Sequence, residues 1–245
     1  MTGRDGPRFH GRRHGRRLRG GRRALLETLL PDVRLVPPSS TGAMEPAALF
    51  PQPVNDIWLE IGFGAGEHMA AMASRHPEIG FIGCEPYVNG VASLLARIAR
   101  DGCRNIRVFD DDARLLLPHL PAHCVGRVFL LFPDPWPKRR HADRRFVSAA
   151  TLNDLARVMR PGGEFRFASD DGGYVSWTLE HVIRHPAFAW TPSGCDDWRL
   201  RPVDAVPTRY EQKALARGAR CAYLRFVCVS RPALPGALRQ GAVQP

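Results

Sequence analysis

Lysine is almost absent from this sequence: two, Lys138 and Lys213, stand against 33 arginines. Arginine offers a planar fork suited to phosphates and carboxylates, whereas lysine is a compact point charge, so the two exceptions mark positions to watch. Paired cysteines are missing too. Cys84, Cys103, Cys124, Cys195, Cys221 and Cys228 include no C-x-x-C spacing and no Cys/His grouping of the zinc type. That excludes a zinc ribbon and a disulfide scaffold and leads us to expect reduced thiols in a cytoplasmic setting. No apolar run reaches the roughly eighteen residues of a membrane span, so a soluble protein without membrane contact is expected. The first 23 residues lack the apolar stretch of a secretory signal, and they lack the serines that accompany arginine in mitochondrial transit peptides.

What is present is a chain of 245 residues, 44% hydrophobic, which suffices for a packed core. The net charge is +11 and the pI about 10.2, an excess that points to a polyanion such as nucleic acid. The excess is uneven. Residues 1–23 hold nine arginines, six glycines and one acid, Asp5. They read as a flexible phosphate-binding arm, with Arg12, Arg13, Arg16 and Arg17 among its candidate contacts. Residues 24–53 read as a short helix and connector, 54–230 as the folded domain, and 231–245 as a loose Pro/Gly-rich tail.

Strands and helices alternate through the domain. Strands are expected at 57–61, 81–84, 106–109, 125–132, 164–168 and 223–229. Helices are expected at 25–30, 68–74, 88–100, 144–159 and 175–183. Pro161-Gly162-Gly163 is read as a break. The alternation predicts a doubly wound, mostly parallel, Rossmann-like α/β sheet with helices on both faces. Such sheets bind ligands at the carboxyl ends of their strands. The loops there, 62–67, 85–87, 110–113, 132–140 and 169–173, are rich in Asp, Glu and Gly.

Glu60-Ile61-Gly62-Phe63-Gly64-Ala65-Gly66 runs from a strand into a glycine turn that lets backbone approach a ligand. A dinucleotide fingerprint would place a third glycine where Glu67 stands, and a carboxylate there repels a pyrophosphate. A nucleoside ligand without phosphates fits better. S-adenosylmethionine is one, and its cationic sulfonium favours nearby acids. Glu85 is placed for ribose hydroxyls and Asp112 for an adenine amine. The bland alternative is that these are ordinary turn residues. In Phe132-Pro133-Asp134-Pro135-Trp136-Pro137-Lys138-Arg139-Arg140-His141, prolines stiffen a loop carrying a carboxylate, an aromatic and a basic cluster. Trp136 either stacks on a base or packs beneath the loop. Lys138, Arg139, Arg140, Arg144 and Arg145 suit phosphates.

Together with Ala168-Ser169-Asp170 and Thr208-x-Tyr210-Glu211-x-Lys213, these segments make the chain resemble the tRNA (guanine-N7)-methyltransferases of the bacterial TrmB type, which are class I S-adenosylmethionine-dependent enzymes. The likeness spans most of residues 9–229, and Arg12-Arg13-x-Gly15-Arg16 is similar to the family's opening segment. Ser169 stands where the family more often has Thr. The resemblance implies a methyl donor site of Glu60, Gly62, Gly64, Gly66, Glu85, Asp112 and Asp134, with S-adenosylhomocysteine as product and no metal. It implies Asp134 as the residue nearest the chemistry. It further implies contacts to tRNA or its target guanine, in the variable loop, from Lys138, Asp170, Thr208, Arg209, Tyr210 and Glu211, with Lys213 on the backbone.

That chemistry suits the residues. Guanine N7 carries a lone pair and no proton, so its methylation requires no general base. A carboxylate from Asp134 or Asp170 stabilises the positive charge that develops on the ring. Two rivals remain at this stage: a methyltransferase acting on an exocyclic amine, which often carries Asp/Asn-Pro-Pro-aromatic at the fourth strand, and an RNA-binding protein with a vestigial pocket. Oligomeric state is not legible.

Overall fold

The computed structural model describes residues 9–38 and 44–229; the expected C-terminal tail, the first eight residues and the middle of the connector lie outside them. The chain opens with α1 (Gly20–Thr28) and α2 (Leu30–Val33). Then follow β1 (Asp56–Ile61), α3 (Glu67–Arg75), β2 (Ile79–Cys84), α4 (Val88–Asp101), β3 (Ile106–Phe109) and α5 (Ala113–Leu116). The second half runs β4 (Val125–Leu131), α6 (Ala149–Val158), β5 (Met159–Ser169), α7 (Gly172–Ile183) and β6 (Phe188–Ala189). It closes with α8 (Asp196–Arg199), α9 (Arg209–Ala216) and β7 (Ala222–Cys228).

The seven strands form one sheet in the order β3-β2-β1-β4-β5-β7-β6. The five from β3 to β5 are parallel, and β7 joins β5 and β6 antiparallel. The doubly wound α/β architecture is therefore the observed one. Strand alternation divides the core between two faces. Ile57, Leu59, Ile61, Val128 and Leu130 point to one cluster, Trp58 and Phe129 to the other. Val91, Leu94, Leu95 and Ile98, along one face of α4, are all buried against the second. The chain leaves β1 toward β2 and returns to β4 on its other side, so the switch point lies between β1 and β4, above their carboxyl ends.

Several boundaries differ from the sequence reading. The first helix begins at Gly20, so residue 23 falls inside it rather than at its edge. Pro31 does not end helical structure but sits at the start of α2, where its missing N–H costs nothing. The helix expected from 144 starts only at Ala149, because Ser148 and Thr151 form a reciprocal capping box there; residues 139–144 form a 3-10 turn instead. Pro161-Gly162-Gly163 does not break the strand. Gly162 takes a φ of +79°, the register with β4 shifts by a bulge, and β5 runs through.

Candidate functional site

Above the switch point lies a cavity of about 660 Å³ lined by the ends of β1, β2, β3 and β4, by Arg209 and Tyr210 of α9, and by residues 9–12. Its floor is the glycine turn after β1. Gly64 has a φ of +57°, and a Cβ there would stand 3.2 Å from Cε2 of Tyr210, so only glycine lets α9 and the turn approach this closely. Gly66, at φ +73°, starts α3 and lies against Leu94 outside the cavity.

Glu85 follows β2 and is buried. Its Oε2 accepts the Gly64 N–H at 2.7 Å and its Oε1 the Tyr87 N–H at 2.9 Å. Both bonds favour the ionised form and Arg209 helps, but burial and the Asp134 carboxylate outweigh them and push the carboxyl up to about 7. Asp112 caps α5. Its Oδ1 accepts the Arg114 N–H at 3.0 Å, and its Oδ2 pairs with Arg114 Nη2 at 2.6 Å, which fixes the carboxylate at the cavity wall. Cys84 between them is buried, and burial pushes its thiol well up, so it stays an inert neutral group.

Asp134 is carried into the cavity by a loop with two non-glycine residues in the left-handed region, Phe132 at φ +50° and Trp136 at φ +45°. Such backbone persists only when its surroundings hold it. Phe132 N–H donates to Ala168 O at 2.7 Å, and Arg145 Nε donates to Pro135 O at 2.9 Å. The Arg144 guanidinium lies 5.0 Å from the Trp136 ring and the Arg145 guanidinium 5.1 Å from those of Tyr174 and Trp177. Arg145 thus turns inward and braces the loop. Trp136 lines the cavity with its ring edge-on to His141 and His10.

The structure gathers Gly62, Gly64, Glu85, Asp112, Asp134, Arg209, Tyr210, Arg12 and Arg144 around this one cavity. It sets others apart. Glu60 lies behind the turn, buried, with Oε2 2.7 Å from Nδ1 of His68. Glu211 is buried under α9, where it accepts from Arg201 Nη1 at 3.1 Å, from the Thr208 N–H at 3.3 Å and from the Tyr223 hydroxyl. Thr208 is the N-cap of α9, its Oγ1 accepting the Glu211 N–H at 3.1 Å. Asp170 is ion-paired to Arg217 at the end of β5. Lys138, Arg139 and Arg140 of the loop and Lys213 of α9 are exposed. Arg13 pairs with Asp111 at 2.6 Å, and Arg16 and Arg17 are exposed beside it. Tyr87, in the strand-end loop expected at 85–87, also lines the cavity, whereas sequence reasoning missed Phe9, His10, Phe146 and Tyr174. Nothing local marks them, since the chain brings them there only through tertiary packing.

A glycine floor, a buried carboxylate after the second strand and an acid on a braced fourth-strand loop, set over a doubly wound sheet, define the methyltransferase class of α/β protein. A family model described as "Putative methyltransferase" matches residues 54–224. A protein of Rhodospirillum rubrum named tRNA (guanine-N(7)-)-methyltransferase is 53% identical over 95% of this chain and 92% of its own length. One of the same name from Nitrobacter hamburgensis is 50% identical over 89% and 85%. Among solved structures, an rRNA methylase from Streptococcus thermophilus covers 71% of this chain and 87% of its own at 11% identity and a TM-score of 0.49. The chain belongs to the tRNA (guanine-N7)-methyltransferase family.

Proposed function

We propose that the protein transfers a methyl group from S-adenosylmethionine to N7 of a guanosine in the variable loop of tRNA. The observation that carries this is the meeting of Glu85, Asp134 and Arg209 at one cavity. The cavity fits such a donor: its volume is in the range of ligand sites, its floor is glycine backbone, and its walls present the carboxylates of Glu85, Asp112 and Asp134 among four arginines, Arg12, Arg114, Arg144 and Arg209. Glu85 would hold the ribose hydroxyls, Asp112 the base, and the Gly62–Gly64 backbone the amino-acid end. When bound, the donor supplies an electrophilic methyl on a cationic sulfur.

The chain's own residues do the rest. Asp134, exposed to the cavity at the lip, takes up hydrogen bonds from the guanine N1–H and exocyclic amine, which adenine cannot supply in that pattern. It also stabilises the positive charge that grows on the ring as N7 attacks in line. No base is required, because N7 carries no proton. Trp136 and Tyr210 flank the opening and offer rings to a base that has left its stack. Lys138, Arg139 and Arg140, exposed beside the opening, hold backbone phosphates.

A tRNA transcript built with 7-deazaguanosine tests this reading. The unsubstituted transcript takes up labelled methyl, and the 7-deaza transcript takes up none. Equal labelling of both would place the acceptor at another atom and defeat the proposal.

A further inference from the structure

Next to the cavity, behind the glycine turn, lies a second depression of about 240 Å³. Arg22 of α1, Arg97 and Arg100 of α4, and Arg209 of α9 surround it, with Glu67 as its single acid and Ala65 in its floor. Arg97 and Arg100 are one turn apart, so they share a face of α4. Arg22 reaches the same place because α1 packs its leucines Leu25, Leu26 and Leu29 on the cluster that includes Leu94, Leu95 and Ile98 of α4.

Three of the four guanidiniums have an internal partner that sets their direction. Arg97 donates to Ala65 O at 3.1 Å and stands 3.5 Å from Glu67. Arg100 meets Asp101 in a two-point pair, Nε to Oδ1 at 2.6 Å and Nη2 to Oδ2 at 2.7 Å, yet its side chain stays exposed. Arg22 makes no ion pair within 4.0 Å among the described residues. Arg209 is the informative one. Its Nε is shut off from solvent and has no hydrogen-bond partner, with the nearest Glu67 oxygen 4.0 Å away. A buried donor left empty is costly. An oxygen placed between Arg209 and Arg97 would fill it.

We propose that this depression is a phosphodiester site, which seats one backbone phosphate of the RNA beside the nucleotide in the cavity. Arg209 spans the wall between the two, so one side chain couples the seated phosphate to the base-binding lip. The small Ala65 floor lets a phosphate oxygen come close, and Glu67, which bars a pyrophosphate from the start of α3, here holds Arg97 and Arg209 in place. The proposal rests on the tRNA reading above and adds to it a position for the backbone.

The test is binding of an unmodified tRNA transcript to the full chain across a salt series, with Arg22→Gln/Arg100→Gln compared with the wild type and with Arg184→Gln. Arg184 lies at the far end of α7, exposed and paired only with Glu180. In the double variant, affinity at physiological salt falls about tenfold and the slope of log affinity against log salt falls by about one. Affinity for S-adenosylhomocysteine, which reports the fold and the neighbouring cavity, stays as in the wild type. Arg22→Lys/Arg100→Lys restores most of the slope. A double variant with wild-type affinity and slope overturns the phosphate site, and so does an equal loss in Arg184→Gln, which would reduce the effect to overall charge. If instead the wild-type enzyme methylated an atom other than guanine N7, the functional reading would fail while the phosphate site kept its own result.

Discussion

Glu85 and Asp134 face each other's charge across the donor cavity, and the consequence is a pH dependence. With its carboxyl raised from 4.5 to about 7, Glu85 stabilises the free fold fully only below about 4.5, and that contribution is lost as pH rises through 7. In the proposed donor site ribose hydroxyls would donate to the ionised form, so binding would run the other way. Affinity for S-adenosylhomocysteine is expected to rise roughly tenfold between pH 6 and pH 8. Glu85→Gln should flatten that profile and weaken binding, because an amide nitrogen cannot accept the N–H of Gly64 or Tyr87. Titration calorimetry at several pH values checks both; a wild-type affinity indifferent to pH would contradict the role. Asp134→Asn is expected to keep donor affinity and slow single-turnover transfer by about a hundredfold. At this scale the sequence was partly legible. Glu85, Asp112 and Asp134 follow strands and could be located by counting. Glu60 could not be separated from them, because its partner His68 reaches it only after the chain has turned through the glycines and begun α3.

Helix α9 shows the limit at the scale of elements. Thr208-x-x-Glu211 is a capping-box pattern, but the short polar stretch behind it carries no strong apolar stripe to announce a helix. In the fold, the pair starts α9, Glu211 ties it to Arg201 and to Tyr223 of β7, and Arg209 and Tyr210 are thereby presented to the cavity. Thr208→Ala is expected to cost about 1 kcal/mol. Glu211→Ala should cost more, about 2 kcal/mol, since it removes the N3 half of the cap and leaves the half-buried Tyr223 hydroxyl without its acceptor, and each kcal/mol lowers Tm by roughly 2–4 °C. Melting curves measure this, and equal Tm values for the two variants would contradict the central place given to Glu211. The strand ends were easier. Apolar runs at β1, β3 and β4 stand out, whereas β6 has two residues and pairs only through β7, so no local pattern announces it.

Across the whole molecule, charge follows the site. Residues 13–16 of the Arg-rich opening segment are tied to the domain: Val88 N–H donates to Arg13 O at 2.9 Å, Gly15 N–H to Asn89 Oδ1 at 2.9 Å, and Asn89 Nδ2 to Arg16 O at 2.7 Å. These bonds lay residues 13–16 along the start of α4 beside the cavity, and Phe9, His10 and Arg12 line its mouth. Removing residues 1–17 takes away six arginines and one aspartate. It is expected to weaken tRNA binding at least tenfold at physiological salt and to lower the salt slope; an unchanged slope would contradict a phosphate-binding arm. The mostly parallel, doubly wound sheet was legible from the alternation of elements, but the docking of this segment was not, because glycine and arginine carry no periodicity to follow. The most direct measurement on the enzyme is transfer of labelled methyl to unmodified tRNA, followed by nuclease digestion and mass spectrometry to locate the modified atom. One methyl on N7 of a variable-loop guanosine is the expected result, and a methyl on an exocyclic amine, or none, would contradict the account.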